Sequence, residues 1–410
     1  MVMTQVNPPQ SSPNLPMWQI LICGALILTL SMGVRHGFGL WLLPMTQAQS
    51  WGREDFAFAM AIQNIAWGVG GIFSGMLSDR FGAFRVILFC ALLYILGLFG
   101  MAYSSSPEQL TASAGLIIGL AQAGTTYAVI YGLIGRNISP DNRSWAMGFA
   151  AAAGSFGQFL MVPVEGWLIN HFGWQQALVT LACLATLVIP LAFGLREKQF
   201  ENGAPLHRQQ SILQALHEAF SYRSFQLLTL GYFVCGFQVV FIGVHMPSYL
   251  KDQGLEPHVA STSLALIGLF NIVGTYCSGL LGQTIPKNKI LSFIYFSRAI
   301  VIFWFISVPL SPLTVYIFSA FMGVLWLSTV PPTNAVVASI FGVSHMAMLS
   351  GFVFLSHQLG SFSGVWLGGY LFDLTGSYTI VWQICIVLGI FSGLVNLPVK
   401  ESPIQRLATA

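Results

Sequence analysis

The sequence predicts an all-α polytopic membrane protein of twelve transmembrane helices, arranged as two pseudo-symmetric six-helix bundles. Three observations carry that expectation. Apolar residues make up 55% of the chain and charged residues only 7%, against about 25% charged in ordinary soluble domains. The apolar runs are continuous rather than alternating, which is the pattern of spanning helices and not of barrel strands. They also number twelve, six on each side of a polar centre.

Each run reaches roughly the 20 residues a helix needs to cross about 30 Å of hydrocarbon. They cover 17–43, 55–77, 84–103, 109–136, 144–170 and 174–194, then 225–250, 258–281, 289–309, 312–340, 346–372 and 378–397, and are called spans 1 to 12 below. The polar residues 1–16 have neither a basic stretch nor a small-residue cleavage site, so they read as a retained tail rather than a signal peptide. Residues 17–194 form the first bundle and 225–397 the second. Residues 195–224 form a linker containing the short amphipathic run Ser211–Phe220, and residues 398–410 form a second tail.

Basic residues set the orientation. With the N-terminus in the cytoplasm, Arg80, Arg85, Arg136, Arg143, Arg196, Lys198, Arg208, Arg223, Lys287, Lys289, Lys400 and Arg406 fall inside, and only Arg53 and Lys251 outside. That bias places both termini in the cytoplasm and, with the compact loops, points to a bacterial inner membrane. The two sequons at Asn137 and Asn142 lie in a loop that this rule keeps inside, so they are not read as glycosylation sites. All six cysteines fall within spans, where packing as small hydrophobes is the simpler reading than disulfides or a metal site.

The halves repeat at an offset of about 204 positions. Gly75-Met-Leu-Ser-Asp-Arg-Phe-Gly-Ala-Phe-Arg85 corresponds to Gly279-Leu-Leu-Gly-Gln-Thr-Ile-Pro-Lys-Asn-Lys289, and Gly166-Trp-Leu-Ile-Asn-His-Phe-Gly173 to Gly369-Tyr-Leu-Phe-Asp-Leu-Thr-Gly376. Such a repeat implies a binding site at the interface and rocking of one half against the other.

The loop between spans 2 and 3 resembles the signature of the major facilitator superfamily through Gly75, Asp79, Arg80 and Gly82. Ala83 and Phe84 stand where that family has basic residues, with Arg85 one step later. The resemblance implies a major facilitator fold and a gating role for Asp79 and Arg80. In the family the loop's Asp caps the cytoplasmic start of span 11, as a carboxylate at a helix N-terminus is suited to do; the alternative is a plain topological anchor.

Within that superfamily, the stretches Arg143-Ser-Trp-Ala-Met-Gly-Phe-Ala-Ala-Ala-Ala-Gly-Ser155 and Gly369–Tyr378 resemble the monocarboxylate transporters and the related oxalate/formate antiporters. Two departures stand out. Arg35-His36 occupies the helix where animal members carry a lysine, without their acidic-Gly-Gly-Trp signature. Their span 8 arginine is also missing, since this chain reads Asn271-Ile-Val-Gly-Thr-Tyr-Cys-Ser278.

Arg35 and Arg298 lie in spans 1 and 9 with no Asp or Glu in the same run. A charge near mid-membrane costs about 2.5–3.5 kcal/mol even on insertion scales and persists where it faces a bundle interior or a watery cavity. Each is expected either to clamp an anion with its planar fork or to bridge to backbone carbonyls. Arg298 and His357 fall near the middle of their spans, with Arg35 about 7 Å outward of the middle of span 1.

His357, His245 and His36 are candidates to carry a proton, because histidine titrates near neutrality; the alternative for each is a neutral, hydrogen-bonded ring in a packed helix. Glu165 is a further proton site, a counter-ion for Arg35, or an interfacial carboxylate. Gln122, Thr126, Tyr127, Tyr131, Gln238, Asn271, Asn334 and Gln358 sketch the substrate lining, though such residues also hold helices together. Pro331-Pro332 is expected to kink span 10 as a gating hinge.

Together these readings point to a secondary-active, proton-coupled transporter of a small organic anion, most simply a monocarboxylate, working by alternating access. Its expected partners are that anion, protons and the bilayer, with no cofactor, metal or nucleic acid, and a monomer suffices. Alternatives are a proton-driven exporter of drugs or other amphipathic solutes, an anion exchanger, or a non-transporting receptor or assembly factor. An enzyme is not expected, because no nucleophile-base pair, nucleotide loop or metal cluster is legible.

Overall fold

The computed structural model describes residues 15–197, 212–342 and 346–404. Residues 1–14 of the N-terminal tail, 198–211 of the linker, 343–345 before span 11 and 405–410 of the C-terminal tail lie outside the described residues. No strand occurs among the residues described. Eleven helical stretches are long and apolar enough to cross a membrane: Met17–Gln49, Arg53–Ser78, Ala83–Ala102, Pro107–Asn137, Trp145–Phe172, Trp174–Phe193, Arg223–Asp252, Pro257–Leu281, Lys287–Ser307, Pro312–Phe341 and Thr379–Asn396. They are spans 1 to 10 and 12. Span 11 is the helix Met346–Thr375, which has the length to cross and carries Ser, His, Gln and Gly along it. The amphipathic run after the linker is a helix, Ile212–Ser221.

Helix pairing follows the duplication. In the first half, span 1 packs on span 5, span 2 on span 4 and span 3 on span 6; in the second, span 7 packs on 11, 8 on 10 and 9 on 12. Two glutamates show the same repeat at the loop scale. Glu197, after span 6, accepts from the Ala83 N–H that opens span 3 (3.1 Å) and pairs with Arg136 (3.2 Å). Glu401, after span 12, accepts from the Asn288 N–H near the start of span 9 (2.9 Å) and pairs with Lys287 (3.2 Å). Each carboxylate satisfies an otherwise orphaned amide at a helix start, and the offset between the two is that of the loop repeat.

The halves meet along spans 2 and 11, spans 5 and 8, and the far end of span 1 against span 7. Below, the terminal face is the one carrying both chain ends and the far face is the opposite one. Hydrogen bonds between the halves, among the described residues, run from mid-membrane to the far face. Asn271 donates to Ser155 (2.9 Å) and Gln158 to the Leu264 carbonyl (2.9 Å). At the far face Arg53 grips Asp252 with both ends of its guanidinium (2.6 and 2.7 Å), donates to the Tyr378 hydroxyl (3.0 Å) and lies 3.7 Å over the Phe372 ring. The Asp373 carboxylate accepts from the backbone N–H of Arg53 (3.1 Å) and Glu54 (2.7 Å), capping span 2, and Trp366 donates to Glu54 (3.1 Å). The far face is therefore closed.

Candidate functional site

Several spans at the centre of the molecule are interrupted. In span 1 the first helix ends at His36, a short turn covers Phe38–Trp41, and a second helix runs Leu42–Gln49. Span 4 stops at Thr125, turns through an extended Thr126 and resumes at Tyr127. Span 10 stops at Leu325 and resumes at Val330. Broken helices at membrane depth survive only where protein or a water-filled cavity satisfies the freed backbone groups.

The span 1 break holds Arg35 in a helix's last turn, where a cation meets the negative end of the dipole. Its Nη2 donates to the Asn64 side-chain oxygen at 2.6 Å, and its guanidinium lies 4.5 Å from the centre of the Trp67 ring. Asn64 is oriented by its own donation to the Met60 carbonyl (2.7 Å). Trp67 is fixed by donating to the Thr126 hydroxyl (3.0 Å), which donates in turn to the Gln122 carbonyl (2.7 Å). Among the described residues Asn64 is the only hydrogen-bond partner of Arg35, whose side chain stays partly exposed. It thus presents an oriented guanidinium with free N–H groups.

Glu165 reaches the same break from span 5. Its carboxylate lies against Gly37, so a Cβ added there would meet the carboxylate and push it aside. The residue is fully buried, and among the described residues neither oxygen has a hydrogen-bond partner. Gln358 is likewise buried, with no partner for either side-chain polar atom among the described residues, while the buried Gln122 faces the Tyr94 hydroxyl. Buried polar groups are nearly always satisfied, so Glu165 and Gln358, on spans 5 and 11, stand out.

Further aromatic side chains pack in the cluster that holds Trp67, the ring under the arginine. Trp67, Tyr127, Tyr131 and Met32 share one apolar cluster with Phe354, which span 11 contributes from the other half. Phe354 meets Trp67 edge-on (5.3 Å, 82°) and stacks on His357 (5.8 Å, 11°), and Tyr127 and Tyr131 face each other at 5.5 Å. His357 lies 5.0 Å from Tyr232 on span 7, and its Nδ1 is 3.4 Å from the Ser361 hydroxyl.

Arg298 proves different. It is fully buried, and its Nε (3.1 Å) and Nη2 (2.7 Å) donate to the Leu325 carbonyl, with Nη2 also reaching the Trp326 carbonyl. Nη1 donates to the Gln238 side-chain oxygen (3.3 Å), and Nη2 lies 3.5 Å from the Cys235 sulfur. The carbonyls are those left orphaned where span 10 breaks. Of the two alternatives open for this residue, the backbone bridge is the one that forms, and Arg298 is corrected from substrate clamp to internal cap.

Several expected lining residues are committed to the protein in the same way. Gln238 spends its amide on the Cys385 carbonyl (2.8 Å). His245 Nε2 donates to the Val365 carbonyl (2.7 Å), leaving Nδ1 to accept from Tyr378 (3.1 Å). His36 bonds the Met32 carbonyl through Nδ1 (2.6 Å). Asn271 accepts from the Leu327 N–H in the span 10 break (2.9 Å), and Asn334 donates back to the Val330 carbonyl (3.1 Å).

Pro331 and Pro332 open the second half-helix of span 10, where their missing N–H groups cost nothing, so the interruption lies just before them at 326–329. Arg80 is exposed, its guanidinium 5.3 Å over its neighbour Phe81. The Asp79 side chain and residues 343–345, which lead into span 11, lie outside the described residues, and with them the expected latch.

Asn64, Trp67 and Phe354 were not singled out in the sequence. Asn64 and Trp67 are three apart on span 2, and that spacing beside an arginine-bearing helix was the available signal.

A model of the Major Facilitator Superfamily matches residues 21–364. The chain belongs to that superfamily of transporters. It is 24% identical over 406 residues to an uncharacterised transporter of the family from Bacillus subtilis (strain 168), covering 95% of this chain and 96% of the relative. It is 25% identical over 393 residues to monocarboxylate transporter 13 of Bos taurus, covering 93% of this chain and 89% of that one. Among solved structures, a D-xylose–proton symporter superposes with a TM-score of 0.73 at 15% identity, over 94% of this chain and 98% of the other. That likeness supports the fold. A multi-pass membrane transporter, and no enzyme, is what these matches describe.

Proposed function

We propose that the chain is a secondary-active transporter that moves a monocarboxylate together with a proton by alternating access, in a cytoplasmic membrane with its terminal face in the cytoplasm. The observation that carries the reading is the span 1 break, which brings one open arginine and one unpaired buried carboxyl, Glu165, to the same interruption. Arg35 has free N–H groups directed by Asn64 and Trp67, as a carboxylate clamp requires. Glu165 has no donor to support a charge in the far-closed state, and a buried carboxylate without one is costly.

Charge bookkeeping then explains obligate coupling. Loaded, the site holds Arg35 as a cation, the substrate anion and a protonated Glu165. In the empty site, Glu165 gives up its proton and takes the Arg35 cation as its partner. Both forms are neutral overall, and only neutral forms cross cheaply between the two faces. The homology to monocarboxylate transporters supports the substrate class.

Uptake of labelled mono- and dicarboxylates into proteoliposomes, with and without an inward proton gradient, tests the proposal. Gradient-stimulated monocarboxylate uptake is expected, lost in Arg35→Gln. Uptake indifferent to both the gradient and Arg35, or proton-driven export of a cation dependent on Glu165 alone, overturns it.

A further inference from the structure

Resting on that reading, we infer that the carried monocarboxylate has an aromatic ring, gripped between span 4 of one half and span 11 of the other. The number of carboxylates follows from the cations. Arg298 spends its donors on the Leu325 and Trp326 carbonyls and on Gln238, so Arg35 is left to meet one carboxylate. A second would be buried without a partner.

The shape of the body follows from Trp67, the ring on which that arginine lies, and from the rings clustered with it. Trp67, Tyr127, Tyr131 and Phe354 belong to one cluster, and Tyr127, Tyr131 and Phe354 keep part of their surface uncovered. Trp67 is turned edge-on to Phe354 and carries the guanidinium on its face. A flat ring attached to a carboxylate held by Arg35 would extend this set of rings through the offset or edge-to-face contacts that aromatic pairs prefer. A short aliphatic chain leaves those surfaces unfilled.

Phe354 also explains why such a ring would be carried rather than only bound. It stands on the half opposite Arg35 and the tyrosine pair, so its contact with the solute changes as the halves rock. A ligand drives a conformational change only through contacts that differ between the states.

The test is binding to the purified full-length transporter, by calorimetry or thermal shift, of benzoate, cyclohexanecarboxylate, propionate, phthalate and benzyl alcohol. Benzoate should bind about tenfold tighter than propionate and several-fold tighter than cyclohexanecarboxylate, which matches it in carbon number but is not flat. Phthalate and benzyl alcohol should bind weakly. Phe354→Leu and Tyr127→Leu should each shrink the preference for benzoate over cyclohexanecarboxylate, with Phe354→Tyr restoring it. If benzoate and cyclohexanecarboxylate bind equally while Arg35→Gln abolishes both, the ring inference fails and the anion site stands. If no carboxylate binds better than benzyl alcohol, both fail.

Discussion

Arg35 and Arg298 are the same residue type, each inside an apolar span with no Asp or Glu of its own, yet they do opposite jobs. The half containing Arg298 breaks span 10 and uses the arginine to satisfy the carbonyls the break sets free. The half containing Arg35 breaks span 1 and leaves the guanidinium with one amide partner and a ring beneath it. What separates them is where the broken backbone points. A buried arginine is structural when orphaned carbonyls take up its fork, and it is available for a ligand when they do not.

Substituting each arginine breaks or sharpens that contrast. Arg298→Leu should have the largest effect of all and act on the fold, because it strands the span 10 carbonyls and the Gln238 oxygen at about 1–3 kcal/mol apiece. Monodisperse yield should collapse, as read by size-exclusion chromatography, with Arg298→Lys rescuing little because one ammonium lacks the fork. A stable Arg298→Leu protein that merely loses transport would restore the clamp reading. Arg35→Gln should leave the thermal melt close to wild type and lower carboxylate transport about a hundredfold, the loss of a charge-assisted pair worth about 2–3 kcal/mol. Normal transport in that variant would remove Arg35 from the site.

How far the sequence revealed this depends on the range of the interaction. Spans, repeat and superfamily were readable because hydropathy and loop motifs are local. The fate of Arg298 was not, since its carbonyl partners lie on span 10 and their availability depends on the break at 326–329, just before Pro331-Pro332. Gln238, His245 and Asn271 look like site residues in isolation and become scaffold only through partners on spans 10, 11 and 12. Trp67 and Phe354 were passed over for the converse reason. Aromatic residues are common in spans, and only the packing of spans 2 and 11 sets Phe354 against Trp67, the ring under the arginine.

Glu165 supplies the next test, on coupling rather than binding. In wild-type protein, uptake should rise as the pH on the substrate side falls, because the loaded form needs Glu165 protonated. Glu165→Gln mimics the protonated acid at every pH, so the loaded form should still cross and support exchange. Its empty form would carry the uncompensated Arg35 cation, so net uptake should fall about tenfold or more and its pH dependence should flatten. An unchanged pH profile in Glu165→Gln would move the proton to another group, with His357 next to be substituted.

The smallest expected effect lies at the far-face closure. Asp373 follows Gly369 at the same Gly-x-x-x-Asp spacing by which Asp79 follows Gly75, and it accepts from the N–H groups of Arg53 and Glu54 that open span 2. Such a carboxylate cap is worth about 1 kcal/mol. The Arg53–Asp252 pair and its Tyr378 and Phe372 contacts remain without it, so Asp373→Ala should loosen the closure rather than abolish it. Hydrogen exchange at residues 53 and 54 should quicken about fivefold, while amides of the Arg298-capped segment at 325–330 stay unchanged. If exchange at the start of span 2 does not respond, the Arg53–Asp252 pair and the side-chain contacts around it hold the face shut. The halves would then be latched by a side-chain contact that salt can screen, and not by a helix cap.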